Sequence, residues 1–420
     1  MPHSRRVVLT GIGVISPLGL SAAAAVEGLQ QGLCGIRPVK AFDASPLPTR
    51  FAGEIVGFDA KQHLDKSQRK NMRVMARGTQ LAVSAAQLAI DDSAIDKSKI
   101  DPARFGTEFG AGLLPSELYE LGPAAQASCT GDNVDLKVWG EKGLPIVTPL
   151  WMLKYLPNML ACHVSIIHNL QGPSNTITES DVAGLLALGE AVHIIRRDQA
   201  DLFLVGGADS KINALSMVRQ CLFGRLSTQN EAPEKAIRPF DAKRNGAALG
   251  EGGGVLVAEE LEHARKRGAK IYGEIAGFGA AFDRGLAGKG LVQAIRVALA
   301  QANLQPGDID FVCAHGLGSL KLDAWEARSL AAVFGTSVPV WSMKSSVGNL
   351  GAGSGTIELT LALLTARAGT IPATLNHDET AADCPITVTR QPHAVTKPHF
   401  LKLGYTEMGQ CAAVVCRVGE

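Results

Sequence analysis

Asp181 is the residue of this chain best placed to do chemistry. It follows the stretch Gly172-Pro173-Ser174-Asn175-Thr176-Ile177-Thr178-Glu179-Ser180 and precedes an apolar run from Leu185 to Ile195. Thr176, Ile177 and Thr178 favour a strand, while Val182, Ala183, Leu186, Leu188, Val192 and Ile195 leave almost no polar face, so the segment reads as strand, sharp turn and enclosed helix. Such an elbow sets one side chain at a helix N-terminus, where free N–H groups hold an anion or a developing oxyanion. A carboxyl there acts as a general base, or it merely caps the helix, and the residues alone leave both readings open. His315, Lys344 and Asn349, far off in sequence, are of the types that can supply an acid, a cation and an amide donor. His315 and Lys344 also have plain readings: a hydrogen-bonded buried histidine, and a countercharge for Glu358 or Asp181.

The elements that must position these groups alternate between strand and helix patterns. Residues 7–15 read as a buried strand, 72–89 as a helix, 105–112 as a strand and 151–169 as mostly helical. Between them, 116–146 is a polar, Gly-containing excursion expected to form a lid or to face a partner. A short strand is expected within residues 52–55. Residues 202–209 form a strand with a Gly-Gly end, and 238–257 is dense in glycine and charge. No Gly-Lys-Ser/Thr ending follows those glycines, which argues against a phosphate loop. From residue 271 the plan repeats: 310–314 runs into His315, 338–342 leads to Lys344 and the Gly-rich 348–355, and 412–416 is a last strand. Alternation of this kind implies parallel-rich sheets covered on both faces and two related α/β units, 1–260 and 261–420.

Composition narrows the function. The 420 residues can bury a large core, and 41 Lys plus Arg against 40 Asp plus Glu give a net charge of +1, which offers no field for nucleic acid. The eight cysteines stand singly in apolar surroundings, without metal-ligand spacing against the ten histidines, and read as reduced core thiols of a cytoplasmic protein. The basic start, Met1 to Arg6, leads into a stretch too short and Gly-broken for a signal or membrane helix, so no membrane partner, metal or cofactor is expected.

Several blocks together resemble the β-ketoacyl-ACP synthases of the thiolase fold. They are Val8-Leu9-Thr10-Gly11-Ile12-Gly13 with Ser16-Pro17-Leu18-Gly19, Leu226-Ser227-Thr228-Gln229-Asn230, Arg238-Pro239-Phe240-Asp241 through Gly250-Glu251-Gly252, His315-Gly316 through Glu326, and Lys344 through Glu358. The resemblance spans essentially the whole chain. It implies two pseudo-duplicated α/β halves with five-stranded mixed sheets layered between helices, and an acyl-carrier-protein-dependent chemistry on an acyl chain.

Against that pattern the chain departs where the chemistry is done. Alignment on Gly172-Pro173 and Gly184 puts Asp181 where the family has its nucleophilic cysteine, and Gly348-Asn349 stands where the family has Gly-His. His315 remains, with Lys344 and Glu358 as support. Gly404-Tyr405-Thr406-Glu407-Met408-Gly409 replaces the family's glycine-rich gate, making Tyr405 the gate residue. An aspartyl attack would give a mixed anhydride that water destroys, so acyl storage is lost. Ser180 is not expected to substitute, because adjacent side chains of an extended segment point to opposite sides. An uncompensated Asp181 at ~4 Å would repel a malonyl carboxylate by roughly 4 kcal/mol at an effective dielectric near 20. The resemblance therefore implies a chain-length-factor type of subunit, paired with an active ketosynthase paralogue or with itself. The alternatives are a hydrolase, dehydratase or isomerase using Asp181 and His315, and an active 3-oxoacyl-ACP synthase.

Overall fold

Runs of apolar and β-branched residues build β1 (Val7–Ile15), β2 (Phe105–Ala111), β3 (Ser174–Thr178), β4 (Leu202–Ser210) and β5 (Glu251–Glu260). The second half supplies β6 (Gly273–Phe282), β7 (Ile309–Cys313), β8 (Val340–Trp341), β9 (His399–Tyr405) and β10 (Gln410–Val418). The computed structural model describes residues 5–419, so Met1 to Ser4 of the basic start, and Glu420, lie outside the described residues. The strand order is β8-β7-β9-β10-β6-β1-β5-β4-β2-β3. Each half thus contributes five strands, and the two sets join edge to edge through a short contact, Val8 opposite Glu274 and Leu9 opposite Gly273. Pairing is mixed: β2 lies parallel to β3 and β4, and β7 parallel to β8 and β9, while β1, β5, β6 and β10 pair antiparallel.

The helices include α1 (Arg77–Ser93), α2 (Ala183–Arg196), α3 (Ala214–Leu222), α4 (Lys289–Ala302), α5 (Leu320–Phe334) and α6 (Ser354–Arg367). α2 and α6 are apolar nearly all round and accordingly buried, as a helix enclosed by protein must be. α6 touches β4 and β5 of the first half and β9 and β10 of the second, and α2 touches β2, β4 and β10, so the two form the layer between the halves. α1 covers β1 and β5 on one outer face, and α4 covers β6 and β10 on the other. The N-terminus of α2 lies directly on β2: a Cβ at Gly110 would stand 2.2 Å from the Gly184 nitrogen. That contact requires glycine and fixes where the elbow points.

Several expectations need correction. The helix expected over 72–89 breaks at Met75 and Ala76 into a 3-10 segment, Gln68–Val74, and α1. The segment 151–169 splits into Trp151–Lys154 and Met159–His168 around Pro157, which cannot donate to a helix. The strand expected within 52–55 is Phe51–Ala52. The excursion 116–146 carries a helix, Leu118–Ala127, and a small hairpin, and it exposes Leu118, Tyr119, Val134, Leu136 and Leu144. Of the cysteines only Cys313, Cys384, Cys411 and Cys416 are core thiols; Cys129 is exposed and Cys34, Cys162 and Cys221 are half-buried.

Candidate active site

The end of β3 delivers the chain into the elbow through Ser180, whose φ of 46° lies in the left-handed region that a non-glycine residue seldom occupies. Such backbone strain is held in place by surrounding contacts. Here Gly184 is packed against Ala352 and α6 behind it, and Asp181 begins the short turn into α2. Asp181 does not cap the helix: neither the turn at Ser180–Val182 nor α2 has a side-chain cap.

Its carboxylate is spent elsewhere. Lys211 Nζ, just beyond β4, lies 3.3 Å from Oδ1, and Asn349 Nδ2 donates to Oδ2 at 2.8 Å. His315 Nε2 stands 3.8 Å from Oδ2, which is an electrostatic contact beyond hydrogen-bond reach, and Nε2 is buried without a hydrogen-bond partner. Ser180 Oγ lies 3.2 Å from both Asp181 Oδ1 and Lys211 Nζ. Ser180 and Asp181 therefore share one side, contrary to the expectation from strand alternation, because the left-handed turn at Ser180 ends the extended geometry.

Electrostatics sets the charge states. Burial pushes the Asp181 carboxyl up, but Lys211, His315 and Lys344 outweigh it and hold it well below the usual carboxylate range. Burial also opposes charge on Lys211, and Asp181 and Asp209 overcome it, raising the ammonium pKa. His315 is 1% exposed; burial, then Lys344, push its pKa down to about 4 against the pull of Asp181. At neutral pH the cluster is thus a carboxylate, an ammonium and a neutral imidazole.

Behind these groups lies a second, deeper network. Lys344 Nζ and Lys402 Nζ each stand 2.5 Å from one oxygen of Glu358, and Lys344 also donates to Ser354 Oγ at 2.7 Å. Ser354 Oγ in turn meets Asn349 Oδ1 at 3.1 Å, which orients the amide toward Asp181. Glu358 is held below its ordinary pKa, the two lysines outweighing burial. Lys344 therefore neutralises Glu358 directly and reaches Asp181 only through its field. Glu326 accepts the backbone N–H groups of His315 (2.7 Å) and Gly316 (2.8 Å) and the Tyr405 hydroxyl (3.0 Å). Tyr405 is fully buried with its ring edge-on to His315 at 4.5 Å; its hydroxyl is committed to Glu326 and does not reach the Asp181 cluster. The following Glu407 pairs with Arg225 at 2.5 Å, tying the loop after β9 to the segment after α3.

Asp181, Asn349 and His315 are brought together, with Lys344 behind them. Sequence reasoning missed Lys211, whose position after the β4 strand end beside Asp209 was the available signal, and Lys402, an ammonium hidden in an otherwise apolar strand. Among the described residues no group of side chains could hold a metal ion, and no helix is long and apolar enough to cross a membrane.

Residues 4–264 match the N-terminal domain of β-ketoacyl synthases and residues 272–378 the C-terminal domain. The chain belongs to the β-ketoacyl synthase family. It is 34% identical over 384 residues to the 3-oxoacyl-[acyl-carrier-protein] synthase 2 of Vibrio cholerae, covering 89% of each chain. It is 36% identical over 391 residues to a putative polyketide β-ketoacyl synthase 1 of Streptomyces halstedii, covering 91% of this chain and 90% of that one. Among solved structures, a β-ketoacyl synthase from Burkholderia phymatum superposes with a TM-score of 0.89 at 28% identity, covering 99% of this chain and all of that one (100%). The ishigamide ketosynthase/chain length factor superposes at 0.86 with 26% identity, over 99% and 100%. The mixed α/β architecture expected from the sequence is thus that of the thiolase-like ketosynthases.

Proposed function

We propose that this β-ketoacyl synthase homologue does not condense on its own and serves as a chain-length-factor-like subunit beside an active ketosynthase, in fatty acid, polyketide or polyene assembly in the cytoplasm. The observation that carries this reading is the state of the elbow: an ionised Asp181 clamped by Lys211 and Asn349. In the alignment that the resemblance implies, this is the cysteine position. A carboxylate held below its ordinary range is a poor base as well as a poor acyl carrier. A histidine neutral at pH 7 is a weak acid, and the Asn349 amide already donates to Asp181, which disfavours the hydrolase, dehydratase and isomerase readings. On this reading Asp181, His315, Asn349 and Lys344 hold structural roles in place of catalytic ones.

An acyl carrier protein and a paralogous synthase are the partners this reading requires. The relatives are named as acyl-carrier-protein synthases, and one structural neighbour of 25% identity is a type II ketosynthase with its acyl-carrier protein. The sheet ends at β3, whose outer edge is unpaired among the described residues and largely exposed, and the 116–146 excursion presents exposed apolar residues of its own. An uncovered edge or an exposed apolar surface suits a subunit partner. The test is intact-mass spectrometry after incubation with acyl-ACP and then malonyl-ACP, alone and with the synthase paralogue. The expected result is neither adduct nor ketoacyl product from the isolated chain, with product only from the pair. A stable acyl adduct or product from the chain alone overturns the proposal.

A further inference from the structure

The Asp181 carboxylate is held as a bound ligand would be. Among the described residues its hydrogen bonds and ion pairs are all to side chains: Oδ1 meets Lys211 Nζ at 3.3 Å and Ser180 Oγ at 3.2 Å, and Oδ2 accepts from Asn349 Nδ2 at 2.8 Å and faces His315 Nε2 at 3.8 Å. Lys211, Asn349 and His315 come from three distant parts of the chain, and each has a second anchor. Lys211 has Asp209 at 3.7 Å, Ser354 Oγ holds Asn349 Oδ1, and Glu326 accepts the backbone N–H of His315. The groups around the carboxylate are therefore positioned independently of it. His315 Nε2 is buried without a hydrogen-bond partner, so an acceptor seated slightly nearer would complete it.

The backbone brings Asp181 to this place under strain. Ser180 carries a φ of 46°, and the strain does not serve the helix, because Asp181 caps nothing. It turns the carboxylate in among the donors. Nor is the space sealed, since Ser180, Asp181 and Asn349 are each only half-buried.

We propose that the elbow is a binding site for a small monocarboxylate and that Asp181 fills it as a tethered ligand, so that the chain blocks its own site. This goes beyond the subunit reading, because it concerns what the elbow recognises with or without a partner. Two sets of contacts, one for each oxygen, call for a two-oxygen head with a single negative charge. Chloride can satisfy only one set, and sulfate brings a second charge that Lys211 does not balance. Truncation at Asp181 then empties a space of defined size. Alanine removes a group the size of formate, and glycine removes one the size of acetate.

The experiment uses the isolated full chain and needs neither partner nor turnover: NMR line broadening of labelled formate and acetate, and melting temperatures in the same salts against chloride at equal ionic strength. The wild type and Asp181→Asn, in which the space stays filled, are expected to bind neither anion. Asp181→Ala should bind formate about tenfold more tightly than acetate, and formate should raise its melting temperature by a few degrees over chloride. Asp181→Gly should take acetate at least as well as formate. Adding Lys211→Met to the alanine variant should weaken formate by about tenfold. Where a truncated variant does not fold in chloride, recovery of its fold in formate or acetate is the same readout. Equal binding by the wild type, an effect no larger than that of chloride, failure of both anions to bind or refold the truncated variants, the same preference in the alanine and glycine variants, or binding indifferent to Lys211 each overturns the assignment. None of these outcomes bears on whether the chain condenses.

Discussion

Lys211 Nζ sits 3.3 Å from Asp181 Oδ1 and 3.7 Å from Asp209 Oδ2, so the carboxylate at the end of β3 receives its countercharge from the end of β4, two strands away. The repulsion that a lone Asp181 would exert on a malonyl carboxylate is thereby compensated. On the proposed reading, a malonyl carboxylate would find the ammonium and the amide that could receive it already occupied. The side chains of Lys211 and Asp181 are only 10% and 15% exposed, and stripping one partner from such a pair leaves a charge with little water to solvate it. Lys211→Met should cost about 3–5 kcal/mol of stability by denaturant titration. Adding Asp181→Asn should return most of that loss, and a double mutant no more stable than the single would show that the two residues are not coupled.

Asp181→Asn alone separates structure from catalysis. Because Asp181 is not a cap, the change is not neutral for the fold: Lys211 keeps only Asp209, and the melting temperature should fall by several degrees, an effect of about 1–3 kcal/mol. In a reconstituted pair with an active synthase, turnover should nonetheless stay within about threefold. A loss of a hundredfold at unchanged subunit association would make Asp181 catalytic.

Replacing Asp181 by cysteine should not restore condensation, since Asn349 is still in place and Lys211 still faces the elbow. It should create a reactive thiol. An ammonium about 3 Å away lowers a thiol pKa, so Asp181→Cys should alkylate with iodoacetamide at pH 7 faster than a free cysteine. Adding Lys211→Met should slow that reaction by about tenfold; equal rates with and without Lys211 would place the ammonium elsewhere.

The neutral state of His315 has a pH signature. Its folded pKa is lowered to about 4 from an unfolded value near 6.5, so between those values the unfolded chain binds the extra proton and stability falls as pH drops from about 6.5 to 4. The loss amounts to roughly 3 kcal/mol, and below about pH 4 this contribution levels off. His168, pushed down to about 3 by burial and then Lys97, adds a slope of the same sign. His315→Gln should therefore flatten the profile over that window without abolishing it. An unchanged slope would mean that His315 is charged in the folded protein.

Much of this molecule is legible in its sequence. Strands such as Val7–Ile15 and Leu202–Ser210 are mostly apolar runs, and α2 is apolar on nearly every face, so periodicity and composition suffice. The elbow, His315 and Asn349 were legible because ordered blocks fix them relative to one another. Lys211 was not: its place near Asp209 at the end of β4 marks a charge at a strand end, but its pairing with Asp181 comes from β4 and β3 flanking β2 in space, which no local pattern encodes. Ser180 was misplaced because alternation fails where φ turns positive.

The unpaired edge of β3 gives the last prediction. Thr107 N donates to the Pro173 carbonyl, so in this parallel ladder the odd-numbered residues of β3 bond inward to β2 and the main-chain groups of Ser174, Thr176 and Thr178 face outward. Proline at 176 therefore removes an N–H directed at solvent and leaves the β2–β3 ladder whole. If a partner subunit extends the sheet here, Thr176→Pro should abolish co-purification with the synthase paralogue, or self-association, while the melting temperature of the isolated chain shifts by only a few degrees. Thr176→Val keeps the N–H and favours the strand, so it should leave association intact. Undiminished association of the proline variant, measured by sedimentation, would move the interface away from this edge and onto the exposed apolar surface of the 116–146 excursion.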